Sequence, residues 1–72
     1  MIQYLIIFEK NSKGHFGASV PDLPGCVSFG DTIEEAKRNI REAIEFHIEG
    51  LKKENLPIPQ ASTIAETMHV AV

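Results

Sequence analysis

Pro21-Asp22-Leu23-Pro24-Gly25-Cys26-Val27-Ser28-Phe29-Gly30-Asp31-Thr32-Ile33-Glu34-Glu35-Ala36 packs a turn, a strand and a helix start into one short stretch. Pro24 fixes φ and Gly25 permits φ > 0, the signature of a type II turn. Cys26 to Gly30 reads as a short strand, with Val27 and Phe29 on one face. Thr32 and Glu35 have the capping-box spacing, and Glu34 and Glu35 suit the positive end of a helix dipole.

Working outward, Ile33, Ala36, Ile40, Ala43/Ile44, His47/Ile48 and Leu51 recur every three or four residues. The spacing predicts a helix from Ile33 to Glu54, about 33 Å long. Lys52 and Lys53 suit its negative end, and Gly50 is a point where the last turn frays or bends. Upstream, residues 2 to 9 alternate, with Ile2, Tyr4, Ile6 and Phe8 on one face. Leu5 and Ile7 make the other face apolar too, which predicts a strand covered on both sides. Lys10 to Gly14 is a hairpin loop, and His15 to Val20 is the return strand. Downstream, the prolines of Leu56-Pro57-Ile58-Pro59 stop the helix and favour extended chain. Residues 60 to 67 form a polar connector, and Met68 to Val72 alternates as a last strand.

The expected fold class is α+β in one domain, residues 1–72. A three-stranded antiparallel meander carries one long helix on one face, and a short final strand lies beside the first and parallel to it. A right-handed connection then gives the sheet order 3-2-1-4.

The 72 residues allow one small domain. A single cysteine excludes an intramolecular disulfide framework and a Cys-based zinc site. No apolar run approaches the roughly 20 residues that span a bilayer, so a cytoplasmic protein without membrane association is expected. The net charge of −3 argues against direct nucleic-acid binding and favours a basic protein partner. Between Thr32 and Glu54 acids and bases nearly balance. The imbalance comes mainly from Glu9, Asp22, Asp31 and Glu66, and an acidic patch is expected at the two ends of the third strand.

The string Pro21-Asp22-Leu23-Pro24-Gly25-Cys26, then Gly30-Asp31-Thr32, then Glu35-Ala36 and Glu42-Ala43, between a meander and a helix, resembles the HicB family of bacterial and archaeal antitoxins. The Leu56–Pro59 exit and the closing strand match as well, so the resemblance spans essentially the whole chain. It implies a partial ribonuclease H-like fold, β-β-β-α-β. It also implies an antitoxin of a type II toxin–antitoxin system that neutralises a HicA-like, mRNA-cleaving toxin by covering its RNA and active-site surface. The chain resembles the short form, the toxin-facing domain without the C-terminal DNA-binding segment that many members carry. Partner contacts are expected at Asp22, Leu23, Pro24, Gly25 and Cys26, and along the acidic edge of Asp31 and Glu34. Small domains with open sheet edges also favour a homo-oligomer.

Rival chemistries are poorly served by the residues. A minimal ribonuclease H-like nuclease needs several convergent acids around paired metals, whereas Asp22 and Asp31 occupy turn and cap positions. His15, His47 and His69 lack metal-ligand spacing, and no cofactor is expected. Cys26 reads as a small buried hydrophobe rather than a nucleophile. Tyr4, Phe8, Phe16 and Phe29 read as packing residues rather than a base-stacking platform. Lys37, Arg38 and Arg41 read as a solvated helix face. An orphan module with a different protein partner stays open.

Overall fold

The computed structural model describes residues 1–72. Strands β1 (Ile7–Lys10), β2 (Phe16–Ser19) and β3 (Val27–Gly30) form an antiparallel sheet in the order β1-β2-β3. Helix α1 (Ile33–Lys53) covers one face of it. Phe8 pairs with Ala18 and Ala18 with Ser28, which sets the register.

The meander follows local chemistry. Asn11 Oδ1 accepts from the backbone N–H of Lys13 and of His15, and Gly14 takes φ 83°, closing the β1–β2 hairpin. At the other end Leu23, Pro24, Gly25 and Cys26 make the expected type II turn. The Cys26 N–H donates to the Leu23 carbonyl at 3.0 Å, and Gly25 has φ 82°. This turn belongs to the core. Leu23 is fully buried, and Val20, Cys26 and Ala18 are nearly so, packed with Ala36 and Ile40 of α1. Tyr4, Ile6 and Phe8 pack on this cluster from the first segment, as their period-2 spacing predicts.

Gly30 joins the sheet to the helix. A β-carbon there would lie against the Ala36 backbone nitrogen and within 2.9 Å of the Ala36 Cα. Only glycine lets the first turn of α1 rest directly on the end of β3. The Thr32 hydroxyl accepts from the Glu35 N–H at 3.1 Å. The Glu35 carboxylate reaches back to the Asp31 N–H at 2.9 Å, one residue before the cap. The helix runs through Gly50 and stops at Asn55, whose φ is 56°. The Leu56 N–H donates to the Leu51 carbonyl and the Asn55 N–H to the Lys52 carbonyl, a Schellman termination.

Two expectations are corrected. The first strand is shorter than residues 2–9, because β2 ends at Ser19, where the chain turns into the Val20–Cys26 loop and leaves residues 2–6 without a ladder partner. It is also an edge strand, with Ile7 exposed on the outer face. The final strand does not form: Met68 to Val72 lies in no sheet, so the order is 3-2-1 with the fourth place empty. The chain beyond the helix is instead held from Tyr4, at Pro59, and from Asp22, at Ser62 and Thr63, and the residues after them stay exposed without a backbone partner.

Candidate functional site: a protein-binding surface

Asp22 precedes the buried Leu23, so its carboxylate sits at the rim of the turn. There it gathers four hydrogen bonds from the C-terminal segment. Oδ1 accepts from the Thr63 hydroxyl at 2.6 Å and the Ser62 hydroxyl at 3.2 Å. Oδ2 accepts from the Ser62 N–H at 3.0 Å and the Thr63 N–H at 3.1 Å. The Thr63 hydroxyl and N–H are the main reason its carboxyl is held below the ordinary value. Tyr4 supplies a second tether, donating its hydroxyl to the Pro59 carbonyl at 2.6 Å. Asp22 is thus a clamp for the chain beyond the helix, a role its sequence position did not announce.

The other expected contact residues separate by burial. Leu23 and Cys26 face the core, and burial pushes the Cys26 thiol up from its ordinary value. Their side chains shape the turn from beneath, whereas Pro24 and Gly25 are its exposed surface. Asp31 and Glu34 are exposed at the start of α1, and Asp31 lies 3.6 Å from His15 Nε2, an open pair of little energetic weight. Asp22 and Asp31 stand at opposite ends of β3 and do not converge. No three His, Cys, Asp or Glu side chains come together in a metal-holding cluster.

What the molecule does present is apolar surface. On the sheet face away from α1, Phe29 is 68% exposed and lies across Gly17, with Val27 and Ile7 beside it. Glu9 and Asp31 lie at its margin, so an apolar centre meets an acidic edge. On the opposite side, a groove of about 740 Å³ runs between residues 1–8 and α1, floored by Ile2, Tyr4, Ile6, Ile40 and Ile44. Phe46 projects from the outer face of the helix. Sequence reasoning assigned Phe29 to the core and passed over Phe46. The missed signal was the alternation itself: Val27 and Phe29 face opposite to Ser28 and Gly30, and one helix covers only one sheet face. No helix is long and apolar enough to cross a membrane.

The sequence and fold are similar to those of known proteins. A family profile described as "HicB_like antitoxin of bacterial toxin-antitoxin system" matches residues 4–71. An uncharacterised 14.9 kDa protein of Haemophilus phage HP1 is 46% identical over 88% of this chain, which spans only 47% of that protein. A UPF0150 protein of Synechocystis is 44% identical over 96% of this chain and 87% of its own length. The N-terminal domain of the Burkholderia pseudomallei antitoxin HicB superposes with a TM-score of 0.73 at 39% identity, covering 81% of this chain and 69% of that one. A chain of a HicA3–HicB3 toxin–antitoxin complex superposes with a TM-score of 0.64 at 36% identity, covering 78% and 64%. With nearly its whole length matched and its meander-plus-helix architecture reproduced in solved antitoxins, the chain belongs to the HicB-like antitoxin family of bacterial toxin–antitoxin systems.

Proposed function

We propose that this chain binds and neutralises a HicA-like, mRNA-cleaving toxin by covering its RNA and active-site surface, with no chemistry of its own. The observation that carries the reading is the uncovered sheet face around Phe29, bordered by the acidic Glu9 and Asp31. An apolar centre with a charged rim is the make-up of a protein interface, and the acidic rim suits a basic toxin. The similarity to a chain from a HicA3–HicB3 complex supports the same partner class. The contact runs over Pro24 and Gly25, held from below by Leu23 and Cys26, and along Asp31 and Glu34. Asp22 contributes by fixing the chain beyond the helix. Residues 1–72 act as one domain in the cytoplasm, as a homo-oligomer, without direct contact to nucleic acid and without cofactor.

Capture of the tagged chain from its native lysate tests this. A small basic protein should stay bound in fixed ratio, and its cleavage of mRNA should fall as antitoxin is added back. Capture of the chain with no such partner would refute the reading.

A further inference from the structure

We propose that two copies of this chain exchange their C-terminal arms, residues 64–72 of each copy adding a fourth strand to the other's sheet at the open edge of β1. This deepens the homo-oligomer reading above and does not depend on the toxin.

Three observations converge. The arm has the pattern of a half-buried strand, with Met68, Val70 and Val72 at period 2, yet every residue from Gln60 onward is exposed. The sheet has a vacancy of the matching kind. The β1 edge is unpaired, residues 2–6 have no ladder partner, and the groove beside them is floored by Ile2, Tyr4 and Ile6 with Ile40 and Ile44 of α1. A strand laid along that edge would turn one apolar face onto Ile40 and Ile44 and pair its backbone with β1. Within its own chain the arm leaves this place unfilled: Asp22 holds Ser62 and Thr63 at the β2–β3 loop, and no residue beyond them pairs with β1 or lines the groove beside it.

The occupant that fits is therefore a second copy. Each chain carries a strand without a sheet and a sheet without a strand, and a twofold exchange satisfies both at once. Such an isologous exchange closes on itself and leaves no edge free for further growth at that site. Nine residues at ~3.3 Å each reach about 30 Å, enough to cross from one small domain to its neighbour.

Equilibrium sedimentation of the full chain without toxin, beside Val70→Pro and a truncation after Thr63, tests the proposal. Proline removes a ladder donor from the arm, whereas truncation removes the arm. The full chain should sediment at twice the chain mass, and both variants at half of that with an unchanged helical circular dichroism signal. A Phe29→Ser control should keep the doubled mass. Single mass for the full chain at every concentration would overturn the proposal, whether the arm then folds onto its own β1 or orders only on a toxin. Doubled mass retained in both variants would overturn arm exchange while leaving self-association through another face. Loss of toxin binding with the doubled mass intact would count against the toxin reading alone.

Discussion

At the scale of single residues, the two glycines of the deciding stretch serve different ends. Gly25 has open space around it and a positive φ, so a side chain there costs only backbone strain. Gly25→Ala should lower stability by about 1 kcal/mol. Gly30 has no such φ, but the Ala36 backbone occupies the place of its β-carbon. Gly30→Ala must push α1 off β3 and should cost about 3 kcal/mol, the upper end of overpacking. Urea denaturation of the two variants separates the causes: Gly25→Asn should recover much of the loss at position 25, while no substitution recovers it at position 30. Asp22 makes a prediction in pH. Its folded carboxyl titrates below the ordinary 3.8, so the stability it lends is present above that value and is lost as pH falls through the lower, folded value. Amide exchange at Ser62 and Thr63 should therefore accelerate in acid below 3.8. In Asp22→Asn that step should vanish, with exchange already fast at neutral pH.

At the scale of elements, α1 depends on its entry. Thr32→Ala removes the acceptor for the Glu35 N–H and should destabilise the fold by about 1 kcal/mol, read as a lower urea midpoint with unchanged slope. The helix, its cap, both hairpin ends and the order of three strands were legible because each is set by neighbours in sequence. The Pro24-Gly25 turn and the Thr32 cap need nothing beyond their own few residues. What was illegible depended on partners far along the chain. The fourth strand reads as a strand locally, and Met68 to Val72 still carries that pattern, but whether it pairs depends on a partner edge far away in sequence, which the local pattern does not specify. The same distance hid the clamp itself, because an Asp beside a turn reads as a turn residue. Cys26 was legible as a buried hydrophobe, and it is buried, whereas Leu23 was legible as apolar but not as core, since it is packed with Ala36 and Ile40 arriving from the helix.

At the scale of the whole molecule, shape and charge point to separate surfaces. The radius of gyration is 14.1 Å, against roughly 11 Å for a compact chain of this length, and the extents are 49 × 27 × 18 Å. The 21 residues of α1 alone span about 31 Å, and an arm added at the open edge of β1, as proposed, would leave the Phe29 face and the Asp31–Glu34 edge clear. Apolar and acidic parts of a toxin contact should then fail in different ways. Charge at a rim mainly speeds encounter, whereas apolar area at the centre slows departure. Asp31→Lys with Glu34→Lys should slow association with the basic toxin about tenfold at low salt, and the deficit should shrink as salt screens it. Phe29→Ser should leave association nearly unchanged and speed dissociation about tenfold, with little salt dependence. Surface-immobilised toxin and a salt series resolve both rates. Unchanged association in the charge variant would remove the acidic edge from the contact, and unchanged dissociation in Phe29→Ser would move the contact off the open sheet face.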